Sequence, residues 1–201
     1  MQRPHSKVLR TASFGVIWLI AVGFGLRMLV SYEATPGAVA EAPQRWPEGS
    51  RVTHSAERPT LVMLAHPHCP CTRASVGELA QIMADAQGKV AAYVLFLKPR
   101  NSGADWDDTP LRETAAAIPG VAVITDFGGV EARRFGAETS GHTVVFAPDG
   151  RLLFTGGITA ARGHAGANTG ESAIAALING RVPDRTSTPV FGCPFTAPAG
   201  S

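Results

Sequence analysis

The longest apolar stretch comes early: Phe14 to Val30 (FGVIWLIAVGFGLRMLV) carries one charge, Arg27, near its end. Counted from Thr11, the run has the roughly 20 residues needed to cross a bilayer, and Arg27 lies close enough to the end to reach lipid headgroups. Arg3, Lys7 and Arg10 precede it, a bias that keeps the N-terminus in the cytoplasm and exports the chain beyond the run. A cleaved signal peptide is the alternative, with Ala38-Val39-Ala40 as a small-x-small site, but that site lies far beyond the apolar run.

Further along, short apolar runs alternate with helical periodicity. Thr60 to Ala65 (TLVMLA) reads as a buried strand. Thr72 to Gln87 has Val76, Leu79, Ala80, Ile82 and Met83 on one helical face, stopped by Gly88. Val90 to Leu97 reads as a strand covered on both faces, and Thr109-Pro110 as an N-cap with proline at the first helical position, in a helix ended by Pro119-Gly120. Val121 to Thr125 is a strand and Val130 to Phe135 a short helix. His142 to Ala147 and Arg151 to Thr155 form a hairpin around Pro148-Asp149-Gly150, and a last helix runs from about Gly170 to Asn179. This order predicts a three-layer α/β domain. The expected organisation is a cytoplasmic tip and anchor (1–31), a spacer (32–58), the α/β domain (59–182) and an extended Pro/Thr/Ser/Ala-rich tail (183–201).

Charge adds little to this. Of 18 Lys and Arg, four (Arg3, Lys7, Arg10, Arg27) belong to the anchor, which leaves 14 cations against 16 anions in the exported part and no basic patch for nucleic acid.

The chemistry concentrates at His66-Pro67-His68-Cys69-Pro70-Cys71, between the first strand of the domain and the helix after it. A helix N-terminus favours thiolate over thiol, and His68 adds a proton acceptor or a positive charge beside Cys69. A disulfide closing so small a loop would constrain the unfolded chain little, so a reactive or metal-binding pair is the better reading than a structural bridge. The third cysteine, Cys193 in Phe-Gly-Cys-Pro, has three open readings: resolving a mixed disulfide, joining a metal site, or an idle tail thiol. His66 reads as a turn residue. Arg73 either stabilises a thiolate or solvates the surface, His164 reads as a loop residue, and Trp46 and Trp106 as packing or interfacial residues.

The stretch Val121 to Gly157 resembles the second half of the redoxin branch of the thioredoxin superfamily, the branch of peroxiredoxins and membrane-anchored TlpA-type thiol-disulfide proteins. It shares an apolar strand with Asp, a short helix ending in an aromatic-Gly pair, a strand, Pro-Asp-Gly and a strand ending in Gly. The block His66 to Ser75 is similar to a group of bacterial thioredoxin-like proteins sometimes labelled RedB. The resemblance covers residues 59 to 180 and implies a thioredoxin-like three-layer fold, a mixed sheet flanked by helices, behind the N-terminal transmembrane helix. It also implies an extracytoplasmic thiol-disulfide oxidoreductase acting on exported protein thiols or disulfides, with Cys69 attacking, Cys71 resolving and His68 assisting, and no cofactor required.

Two departures from that family bear on function. The pair is Cys-x-Cys with proline between, which demands uncommon disulfide geometry and should make the pair more oxidising than a reducing thioredoxin. His142 stands where the family has its cis-proline, the residue facing the cysteines. Cys69, Cys71 and His142 are therefore an alternative copper(I) site, an arrangement that resembles Sco-type copper assembly proteins. A peroxidase is disfavoured, because peroxiredoxins have Thr three residues before the reactive cysteine and this chain has His66. A non-catalytic module with incidental cysteines is the third reading.

Overall fold

The computed structural model describes residues 4–195, with side chains from residue 10 onward. The first element, α1 (Pro4–Glu33), includes a 24-residue span, Arg10–Glu33, of mean hydropathy 1.9, long and apolar enough to cross a membrane. Its apolar side chains, Phe14, Trp18 and Phe24 among them, are exposed. A second compact unit begins at Pro36.

That unit runs β1 (Thr60–Ala65), α2 (Thr72–Ala86), β2 (Ala91–Lys98), α3 (Pro110–Ala116), β3 (Val121–Phe127), α4 (Val130–Arg134), β4 (His142–Phe146), β5 (Leu152–Gly156) and α5 (Thr169–Ile178). The sheet order is β3-β2-β1-β4-β5, with β1, β2 and β3 parallel and β4 and β5 antiparallel to their neighbours. The thioredoxin-like mixed sheet flanked by helices is therefore present. β1 is central and buried at all six positions, which explains why its sequence does not alternate.

The helix boundaries follow local chemistry. Thr109 Oγ1 accepts from the Arg112 N–H at 3.3 Å, with Pro110 opening α3. The buried Asp126 carboxylate accepts the Glu131 and Ala132 N–H groups, each at 2.9 Å, and so starts α4 without a side-chain N-cap. α5 begins one residue earlier than its apolar pattern suggests, because Asn168 caps it through the Glu171 N–H.

Period-two alternation divides the sheet between two cores. Leu61, Met63, Val94, Phe96 and Val145 face α2, α3 and α5. Val62, Leu64, Leu95, Val144 and Phe146 face the opposite side, where Phe135 covers them together with residues from the segment read as a spacer. Ala42 and Val52 are buried there, and Trp46 packs edge-on against Phe135 and Phe146 at 5.3 and 5.2 Å. Residues 36–58 thus belong to the domain. The tail is also more than an extension, since Val190 is buried and Ser187 and Pro194 bridge to Thr155 and Thr139. Short apolar positions spaced without period leave no periodic signal, so both segments read as linkers in the sequence.

Candidate thiol site

β1 delivers the chain to His66, whose N–H donates to Ser140 Oγ at 2.7 Å, and a turn closed by Cys69 N–H to the His66 carbonyl at 3.1 Å leads into α2. Cys71 is the N-cap residue of α2 and already has helical φ and ψ of −67° and −30°, with no side-chain cap bond. Cys69 is buried, and Cys71 and Cys193 are half-buried. The three sulfur atoms all lie within 4.8 Å of one another.

Cys69 and Cys193 are in direct contact: Sγ to Sγ is 2.8 Å, and the Cys193 N–H points at Cys69 Sγ at 3.3 Å. Burial opposes ionisation of Cys69, but the Cys193 thiol and N–H, with Thr72, donate to its sulfur and hold its pKa below the usual thiol value. Cys71 is pushed up by burial and by the neighbouring charge on Cys69, with Arg162 opposing. Cys193 is pushed up to about 12, by burial first and then by donating to Cys69. Within the cluster, ionisation is therefore favoured at Cys69 over Cys71 and Cys193.

Of the residues singled out in the sequence, Cys69 and Cys71 meet as expected. Cys193, for which the sequence leaves an idle reading open, joins them from the tail. The sequence signals for it are the glycine before it and the odd cysteine count. His142 does not join them. It lies opposite Leu64 in the β1–β4 register, on the face that carries Val144 and Phe146, and its Nε2 bonds Thr155 Oγ1 at 2.8 Å. Strand alternation, not proximity in sequence to Thr143, decides this, and the sulfur cluster has Cys193 where the sequence suggests imidazole. His68 is exposed, and its Nε2 donates to the Trp106 carbonyl at 2.8 Å, with the rings edge to face at 4.7 Å. Its ring is thereby engaged with Trp106. His66 packs against the same indole, and burial, then the His68 charge, lowers its pKa. Arg73, His68 and Cys69 line an open cleft of 230 Å³ that Thr109 and Leu111 complete. His164 is exposed and bonds the Arg162 carbonyl at 2.9 Å.

Burial pushes the His142 pKa down to about 4, and its Nδ1 is buried without a hydrogen-bond partner. An unfolded histidine titrates near 6.5, so the unfolded chain takes up a proton that the folded one refuses. This contribution to stability is complete above about pH 6.5 and is lost as pH falls towards 4, at most about 3 kcal/mol. The drop in urea midpoint between pH 7 and 4.5 should therefore be smaller in His142→Asn than in the wild type. An equal drop in both would show that His142 does not titrate on unfolding.

No family model matches the chain, and no curated protein matches it at a significant level. Among solved structures, a protein from Sinorhizobium meliloti 1021 described as hypothetical is similar at 20% identity, with 83% of this chain and 96% of that chain covered and a TM-score of 0.60. A conserved protein from Geobacillus kaustophilus described as uncharacterized is similar at 20% identity, over 84% and 95% of the two chains, with a TM-score of 0.59. A secreted Mycobacterium tuberculosis disulfide oxidoreductase homologous to E. coli DsbE matches over 63% of this chain and 84% of that chain at 14% identity and a TM-score of 0.46. These likenesses concern the fold; the chemistry rests on the sulfur cluster itself.

Proposed function

We propose that this protein is a thiol-disulfide oxidoreductase, held in a membrane by α1 with the residues from Pro36 onward outside the cytoplasm, and that Cys69 is its attacking thiolate. One observation carries the reading: a buried cysteine preceding the N-terminus of a 15-residue helix accepts the Cys193 N–H at its sulfur, touches the Cys193 sulfur at 2.8 Å, and has both other thiols within 4.8 Å. Structural thiols have no need of such donors. Cys69 attacks a disulfide of an exported protein, and a neighbouring thiol resolves the mixed disulfide; Cys71 would do so within the Cys-Pro-Cys pair. The cationic residues before the apolar run support the sidedness. The positioning of His68 against Trp106 supports a role in shaping the cleft around Cys69.

The sulfur cluster also favours a second reading, copper(I) binding in an assembly factor or chaperone. Three soft thiolates suit copper(I), and the set that fits is Cys69, Cys71 and Cys193 in place of the Sco-like set with His142. Cys71 and Cys193 would have to release their protons on binding.

The two readings separate in one pair of measurements on the reduced full chain in detergent. Exchange with a disulfide-bonded fluorescent peptide at pH 7 should run faster than with glutathione, and titration of copper(I) against a competing chelator should show weak binding. Exchange no faster than glutathione sinks the oxidoreductase reading. Tight one-to-one copper binding that is lost in Cys71→Ser but kept in His142→Ala would establish the metal reading.

A further inference from the structure

Residues 190–195 (VFGCPF) lie on the domain in an irregular segment that pairs with it through one antiparallel bridge. The Ser140 N–H donates to the Cys193 carbonyl at 2.8 Å, the Phe195 N–H donates to the Glu138 carbonyl at 2.9 Å, and Thr139 and Pro194 form an antiparallel bridge. The partner backbone, residues 138–140, leads directly into β4, next to the turn that holds Cys69. Upstream, the Gly37 N–H donates to the Val190 carbonyl at 2.8 Å, and the Arg162 guanidinium donates to the Gly192 carbonyl.

The seat is too tight for any residue but glycine at position 192, where a Cβ would overlap the Ser140 carbonyl oxygen. Gly157 likewise passes the tail so closely that a Cβ would lie 2.6 Å from the Pro189 carbonyl oxygen. A segment seated by backbone pairing, an arginine and two glycine contacts is built into the fold. What it delivers is one sulfur, 2.8 Å from Cys69, with its own N–H aimed at the same atom.

We infer that this C-terminal segment is a tethered redox arm, and that Cys193 on the arm, rather than Cys71, closes the disulfide with Cys69. The inference rests on the oxidoreductase reading. Cys193 reaches Cys69 from a segment 124 residues further along the chain, so its sulfur need close only from 2.8 Å to the roughly 2.05 Å of a disulfide. Cys71 is fixed in helical geometry as the N-cap of α2, with a proline between it and Cys69.

In the first step the Cys69 thiolate attacks a substrate disulfide R–S–S–R′, forming Cys69–S–S–R and releasing R′–S⁻. The Cys193 thiol gives its proton to that leaving thiolate, and its sulfur attacks Cys69 Sγ. The bond from Cys69 to R breaks and R–S⁻ leaves. Two protein thiols are oxidised to one disulfide as one substrate disulfide is reduced. Cys71 stays reduced and serves neither step.

The test uses the full chain in detergent with glutathione disulfide as substrate, followed by non-reducing digestion and mass spectrometry. Wild type and Cys71→Ser should both yield a Cys69–Cys193 linked peptide. Cys193→Ser should lose it and accumulate glutathione on Cys69, and Gly192→Ala, which keeps every thiol but unseats the arm, should do the same. A Cys69–Cys71 link in the wild type, or a Cys193→Ser protein that clears glutathione from Cys69 as fast as wild type, would overturn the inference while leaving the oxidoreductase reading intact. If no variant takes glutathione onto Cys69, that reading fails instead. Diamide oxidation of the wild type then decides the pairing alone: a Cys69–Cys193 link retains the arm geometry, and a Cys69–Cys71 link removes it.

Discussion

Cys69→Ser is expected to bring disulfide exchange down to the background of the substrate alone, because the one thiol of the cluster whose pKa its neighbours lower is lost. The wild-type protein should show one cysteine that reacts with iodoacetamide at neutral pH and two that do not. The fast one should be Cys69, with its rate rising to a plateau at lower pH than that of glutathione. The hydrogen bonds from Cys193 and Thr72 outweigh burial in setting that pH. Each unit by which they lower the thiol pKa multiplies the thiolate fraction about tenfold below the pKa, while intrinsic nucleophilicity falls only about threefold. The net effect is a faster thiol until the pKa reaches ambient pH. Cys193→Ala, which keeps the N–H but removes the S–H donor, should move the Cys69 plateau to higher pH. Cys71→Ala should move it less, since the donors that lower the Cys69 pKa most are Cys193 and Thr72. A Cys69 that alkylates with the same pH profile as glutathione would mean the cluster does not activate it.

Much of this domain is legible in the chain because its elements are set by local chemistry. β1 and β2 are apolar runs buried on both faces, α2 carries its stripe at Val76, Leu79, Ile82 and Met83, and Thr109-Pro110 marks the start of α3. The site is half legible for the same reason: Cys69 and Cys71 sit at a strand-to-helix junction that the pattern alone locates. The parts that the sequence hides are non-local or rest on analogy. Cys193 contacts Cys69 across 124 residues, through a tail whose order depends on backbone pairing and a close glycine, neither of which leaves a periodic trace. The family pattern and the neighbouring Thr143 point His142 at the cysteines, although its own strand carries the correct answer. His142, Val144 and Phe146 share one face by period two, and Val144 and Phe146 belong to the core opposite α2.

Deleting residues 1–58 is expected to destroy the cooperative unfolding transition, whereas deleting only residues 1–35 should preserve it. The segment between those cuts does three things that the remaining chain cannot replace. It lays Trp46, Ala42 and Val52 over Phe135, Phe146, Val144 and Val62. It pairs with the chain around the β4–β5 turn, through Trp46 N–H to the Gly150 carbonyl at 2.7 Å and Leu152 N–H to the Gln44 carbonyl at 3.0 Å. It also supplies partners to the buried Glu131 carboxylate, through Ser50 Oγ at 2.7 Å and the Arg51 N–H at 3.4 Å, leaving Arg134 as the remaining ion-pair partner when it is gone. Trp46→Ala alone should cost about 3 kcal/mol, the low end for a large aromatic because the indole is only half-buried. Against a domain stability of about 5–15 kcal/mol, that single loss is large, and the whole segment is more than such a domain can spare. Urea unfolding followed by circular dichroism decides it. A chain starting at residue 59 that unfolds at the same midpoint as one starting at residue 36 would return residues 36–58 to the role of a spacer.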